Sequence, residues 1–245
     1  MSSEYIQLVS RTDCSPATWT FGAPVPMRNG VGKQASIKLN NRAVQVVLPR
    51  CRVPFGVRPQ KNNPEKMLMY LSIEDPEIVA WAQLVDEAVI RYLVDCSSLF
   101  FGKTRSEATI RENHRTLLYR NAAKPEYPPC WCPAIKEPNY EDRTPTPDIR
   151  VLVNPSDPND TRFFQGTLGD ISPNDEVIPF LSLYMVWSSA GTGVGVSVTR
   201  VIVFQNKVSN DLVQLNGEKM QCVSRPLGPM ADKSDGSGES SDTPY

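Results

Sequence analysis

The chain is short of the residues on which most enzymes, membrane spans and secreted scaffolds depend. Of its 245 residues a single one is histidine, His114, which leaves a thin supply of general bases. No phosphate loop is present. The glycine run 191–195, GTGVG, lacks the terminal Lys-Ser/Thr and sits between two strand-like stretches instead of opening a helix. Asp157 to Asp160 reads as a turn with too few oxygen ligands for a calcium loop, and no carboxylates pair by spacing. The expectation is a protein that is not an enzyme and needs no cofactor. Long apolar runs are also missing: the stretch 176–187 is broken by Glu176, Pro179 and Ser182, too short a run for a bilayer span. The opening MSSEYIQLVSRTDCSPA has an early acid and no apolar centre, so no signal peptide is expected. The reading is an intracellular protein with no membrane partner. Cysteines number six, too sparse for a disulfide scaffold. The one close pair, Cys130-Trp-Cys132, has one intervening residue where a zinc knuckle has two to four. Free thiols and no metal site are expected.

The most informative absence is that of acid. From Cys14 to Pro64 there is no Asp or Glu, while eight cations fall in that span: Arg28, Lys33, Lys38, Arg42, Arg50, Arg52, Arg58 and Lys61. Acid is concentrated at the other end. Residues 231–245 carry four acids against one lysine, a net −3, which leaves +2 for the rest of a chain whose total is −1. A basic segment with a separate acidic tail points to a polyanionic partner, nucleic acid first among them. The tail itself reads as a phosphate mimic that competes for the basic segment, a dock for replication proteins, or a solubility tail.

Apolar residues make up 40 % of the chain, enough for a core. Residues 1–30 are polar and proline-rich and read as an arm. Strands are predicted over 33–39 and 42–48, joined at Asn40-Asn41, where asparagine tolerates positive φ. A third follows at 66–73. Asp75-Pro76-Glu77 is a helix start, and Ile78, Trp81, Val85, Ala88, Val89, Tyr92 and Cys96 recur at helical spacing. A second helix is predicted from about Ser106 to Tyr119, with His114 on its packed side. Residues 124–148 hold seven prolines and read as a surface loop bearing Tyr127, Trp131 and Tyr140. Strands resume at 149–154, 162–168, 177–187 and 194–204, the last two joined as a hairpin by the link 188–193. From about Pro226 the chain reads as disordered. The fold class is thus α+β, mainly β, with one or two helices. An elaborated oligonucleotide-binding (OB) barrel over 31–225 fits this order; a β-sandwich uses the same strands.

One ordered set of features carries a resemblance. It comprises Trp19 with Phe21 and Pro24; GKQASIKLNNRAVQVVLPRCRVPFGVRP (32–59); the helix after IEDPE; IRVLVNP (149–155); VIPFLSLYMVWSS (177–189); and GVSVTRVIVFQ (195–205). This set resembles the single-stranded-DNA-binding proteins of nucleocytoplasmic large DNA viruses, chiefly of algal and amoebal virus lineages, and more distantly the African swine fever virus counterpart. The resemblance spans most of 19–205. It implies an OB-fold and sequence-independent binding of single strands in viral DNA replication, recombination or repair, in the host cytoplasm or nucleus. It departs at 124–148, which has no match, and in having few late aromatics.

Single-strand binding needs cations along a backbone and flat side chains for the bases. Segment 19–61 offers both: Lys33, Lys38, Arg42, Arg50, Arg52 and Arg58 for phosphates, Trp19 and Phe55 for bases. Trp187 and Phe204, at the ends of the late strands, are either stacking platforms or core. Arg200 interrupts an apolar strand, either on its solvent side or reaching for phosphate. The partner expected is single-stranded DNA, with RNA open, and self-association is also open. The alternative is a virion or scaffold protein working through protein contacts.

Overall fold

Turn and cap chemistry sets most of the element boundaries in the computed structural model, which describes residues 6–7, 15–28, 30–61, 63–135, 147–157 and 161–205. Three two-residue strands, β1 (Ile6–Gln7), β2 (Thr20–Phe21) and β3 (Val25–Pro26), precede β4 (Lys33–Leu39) and β5 (Arg42–Val47). The turn between the last two has Asn40 at φ 50° and Asn41 at φ 62°, the paired left-handed conformation of a two-residue hairpin turn. β6 (Cys51–Val53), β7 (Val57–Gln60), β8 (Asn63–Met69) and β9 (Leu71–Ser72) follow. Helix α1 (Pro76–Asp95) starts where the sequence predicts: the Asp75 carboxylate accepts the Glu77 N–H at 2.8 Å, with proline at the first helical position. α2 (Ser97–Phe101) stops at Gly102, φ 71°, and α3 (Glu107–Glu112) is capped by Ser106. Then come β10 (Leu118–Tyr119), β11 (Cys130–Trp131), β12 (Ala134–Ile135), β13 (Asp148–Leu152), β14 (Phe163–Gln165) and the long pair β15 (Asp175–Ser188) and β16 (Thr192–Phe204).

β15 is the spine. On one side it pairs antiparallel with residues 33–36, 44–47 and 51–53 in turn, so that β4, β5 and β6 act as one interrupted strand. The hairpin tip leaves this ladder and pairs with β2 instead. It does so opposite Tyr184, the residue that also bulges out of the β15–β16 ladder. On its other side β15 pairs with β16, and β16 runs parallel to β12 and to β13. From there the sheet continues to β8 and β7 in one direction and to β14 in the other. A second, three-stranded sheet runs β10–β11–β9.

Period-two alternation sorts the residues of these strands. Val177, Leu181, Val201, Val203, Ile149 and Val151 point into the core and are fully buried. α1 covers this side, and its Trp81 packs between Trp19 and Trp131 at ring-centroid distances of 6.2 Å each. No helix among the described residues is long and apolar enough to cross a membrane.

The architecture is therefore α+β and mainly β, but the ladders form an open sheet with β1 and β7 at its ends, not the closed barrel expected from the strand order. β16 divides its outer edge between β12 and β13, and no described strand joins the two ends. Other expectations change too. Residues 15–28 are not an arm: Pro16 and Trp19 are buried, and β2 and β3 both pair with β4. The helix predicted over 106–119 stops at Glu112. Past it, Arg115 N–H donates to the Thr192 carbonyl (2.8 Å) and Thr192 N–H to that of Asn113 (3.1 Å), so the chain docks on the β15–β16 turn. The proline-rich segment is not a loop throughout. Residues 130–135 line up against β8 and β9, with Met69 N–H bonded to the Pro133 carbonyl and Ile73 N–H to that of Pro129. Prolines suit this arrangement because they supply the carbonyls. Tyr140 and the acidic tail lie outside the described residues.

Candidate nucleic-acid interface

The face of the main sheet opposite the core is built by the same alternation. Register places Phe180, Arg200 and Asp148 in one row across β15, β16 and β13, then Ile178, Ile202 and Arg150 in the next. Arg52, Glu176 and Phe204 form a third row, on the side of Leu152 and its partner Phe163. Arg50, on the bend between β5 and β6, reaches over this third row. Three guanidiniums lie over three phenyl rings here: Arg50 over Phe204 at 4.0 Å, Arg150 over Phe163 at 4.5 Å and Arg200 over Phe180 at 5.3 Å from the ring centroids. Each such pair is worth about 0.5–2 kcal/mol, and together they hold the cations flat against the sheet. Carboxylates steady them from the side. Asp148 Oδ2 accepts from Arg150 Nε at 3.0 Å and from Arg200 Nε at 2.8 Å, Glu176 pairs with Arg50, and Arg52 Nε donates to Asn174 Oδ1 at 3.2 Å. A cavity of about 650 Å³ opens over the Phe204–Phe163 end, walled by Arg50, Arg150, Pro155 and Thr161.

The residues singled out in the sequence fall in several places. Arg50, Arg52 and Arg200 belong to this face. Lys38 and Arg42 are exposed on the separate β4–β5 hairpin ladder. Lys33 is turned to the end of α2, its Nζ donating to the Leu99 carbonyl. Phe55 is 51 % exposed, edge-on to Tyr70 at 5.7 Å, and its carbonyl accepts from Arg58 Nε at 2.9 Å. Trp19 is a correction. At 6 % exposure and edge-on to Trp81, it presents no face to a base. Trp187 is half-buried with the Arg115 guanidinium 5.5 Å from its ring. Arg150, Phe163 and Phe180 were missed. For Arg150 and Phe180 the signal was present in the alternation of IRVLVN and VIPFL, but it needed the parallel β13–β16 pairing to acquire meaning; Phe163, in RFFQGTL, joins the face only through its pairing with Leu152.

Because Phe55 is exposed, Phe55→Ala is expected to change the stability by about 1 kcal/mol or less, with little change in melting temperature. A large fall would place its ring in the core. Burial elsewhere explains the thiols and the histidine. Cys51 is pushed up to about 12, first by burial and then by Cys130 and Glu176 nearby, so it stays protonated. Cys51, Cys96, Cys130 and Cys132 are free thiols, and among the described residues no three metal-ligating side chains converge. His114 Nδ1 meets Thr192 Oγ1 and Nε2 meets Asp86 Oδ1, both at 3.1 Å. The order matches a nucleophile–base–acid relay, but the His114 side chain is 1 % and Thr192 2 % exposed, leaving no room for a substrate. Asp86 also accepts the Leu117 N–H, so the chain is a buried tie.

No family model matches the chain, and no curated protein does. Among solved structures it is similar to a C-terminally truncated single-stranded DNA-binding protein from bacteriophage Enc34, with 11 % identity and a TM-score of 0.40 over 75 % of this chain and 95 % of that one. The single-stranded DNA-binding protein from the same phage gives 9 % identity and a TM-score of 0.36 over 81 % and 98 %. Neither is a large-DNA-virus protein.

Proposed function

We propose that the chain binds single-stranded DNA with little regard to base sequence, through the open sheet face, and coats single strands during replication, recombination or repair of what we read as a viral genome, inside the host cell. The observation that carries this is the set of three arginine–phenylalanine stacks on one exposed face. A single strand presents bare base faces and a phosphate line together; a duplex hides the former. Phenyl rings and guanidinium planes both stack on bases, and the guanidiniums also fork onto phosphates. Stacking and phosphate contacts of this kind carry little base preference. The mainly β core fits an elaborated OB-type domain whose barrel is left open, and no chemical step is assigned to it.

Affinity for a labelled oligothymidylate is expected to fall log-linearly with salt, with a slope of roughly 3 if the four arginines of the face each meet a phosphate. The same titration with a duplex of equal length should give much weaker binding. Equal affinity for the two would overturn the single-strand reading, and no complex even at low salt would favour the scaffold alternative.

A further inference from the structure

Away from the arginine–phenylalanine face, a second cavity of about 260 Å³ opens between the segment after α3, β8, the stretch from β11 to β12 and the tip of the β15–β16 hairpin. Its lining has two cations, Lys66 and Arg115, and no carboxylate, with the rings of Trp187, Tyr184 and Tyr119 around them. Burial raises the Tyr184 phenol above its usual range, so it stays a neutral donor.

The geometry is built, not incidental. The Trp187 indole lies against the backbone of Gly193, where a Cβ would come within 2.8 Å of the ring. At Gly195 a Cβ would come within 2.7 Å of Met185 Cγ. Glycine at these two strand positions thus makes room for the large side chains of the opposite strand. The backbone that carries Arg115 is also anchored: its N–H bonds to the Thr192 carbonyl, and the neighbouring His114 sits between Thr192 and Asp86. From this anchored backbone the Arg115 guanidinium lies 5.5 Å from the Trp187 ring centroid.

Aromatic rings, two cations and no acid in so small a space select an anion that carries a flat ring. We propose that this cavity takes one nucleotide unit, its base against Trp187 and its phosphate on Arg115 and Lys66. The nucleotide belongs either to a bound strand, in which case the inference rests on the single-strand reading, or is a free mononucleotide.

Tryptophan emission of the full chain, titrated with oligothymidylate in one arm and thymidine monophosphate in the other, tests this. Trp19, Trp81 and Trp131 all remain in Trp187→Phe, so the part of the quench that this variant loses reports contact at Trp187. Saturable quenching is expected in at least one arm. In that arm Arg115→Gln and Lys66→Gln, two independent exposed positions, should each weaken binding about tenfold with unchanged melting temperature. Quenching by the strand alone assigns the cavity to a nucleotide within a strand; quenching by both shows that it takes the free unit too. If the strand binds by anisotropy while Trp187 emission and both variants stay at wild-type values, the cavity inference fails and the single-strand reading stands. If no strand binds, that reading fails and the monophosphate arm alone decides: absence of a Trp187-dependent quench overturns the nucleotide site.

Discussion

Replacing Arg50, Arg150 and Arg200 together by glutamine is expected to weaken single-strand binding by at least about a hundredfold, the loss of several charge-assisted phosphate contacts. It should also lower the salt slope by about 2, at roughly 0.7 per contact. The fold should tolerate the change, because the three side chains are between 30 % and 45 % exposed and partly exposed ion pairs contribute about 1 kcal/mol or less each. Phe163→Ala and Phe204→Ala are expected to differ in kind: a loss of about 1–3 kcal/mol each in binding, with the slope unchanged. Fluorescence anisotropy over a salt series distinguishes the two signatures. If instead Lys38→Gln with Arg42→Gln abolishes binding and the triple variant does not, the β4–β5 hairpin is the interface and the sheet face is not.

The largest stability effect is expected at Trp131. Its ring is 2 % exposed and packs on Trp81, and removing a buried tryptophan side chain costs about 3–5 kcal/mol. For a domain of this size that is a fall of roughly 10 °C or more in melting temperature. Tyr127→Ala, four residues earlier and 54 % exposed, should change it little. Thermal unfolding followed by near-ultraviolet dichroism compares the two directly. Similar small effects would mean that residues 130–135 are not locked into the sheets.

Both of these predictions rest in part on residues whose placement could not be read from the chain alone. Local chemistry was legible: the Asn40-Asn41 turn, the Asp75-Pro76 helix start, the glycine-rich link between the two longest strands and the packed role of His114 all depend on near neighbours in sequence. The strands of strongest alternation, around 177–187 and 194–204, were legible for the same reason. What failed depended on distant partners. Trp131 lies among prolines that discourage regular structure by themselves, yet their carbonyls complete a ladder that β8 and β9 supply. Trp19 looked like a free ring on a polar arm until α1 was seen to bring Trp81 against it. The cationic run from Arg28 to Lys61 was read as one groove. The ladder divides it, because the hairpin tip leaves the spine opposite Tyr184 and takes Lys38 and Arg42 with it. One of the three arginine–phenylalanine pairs comes from β13 and β14, and no local pattern announces that β13 lies beside β16 with β14 outside it.

The interrupted strand along β15 also dictates when the protein can fold. Residues 33–36, 44–47 and 51–53 all wait for partners at 175–188, and β12 and β13 wait for β16. A nascent chain therefore leaves the ribosome with β2 to β5 able to pair among themselves but with the edge that meets β15 still open, and that edge closes only after β15 has emerged. Pairings so remote in sequence make for slow folding, and open strand edges left waiting invite association with other chains. Of the residues that wait for β15 only Lys33 and Arg52 are charged, both positive, and like charge at an open strand edge disfavours pairing between copies.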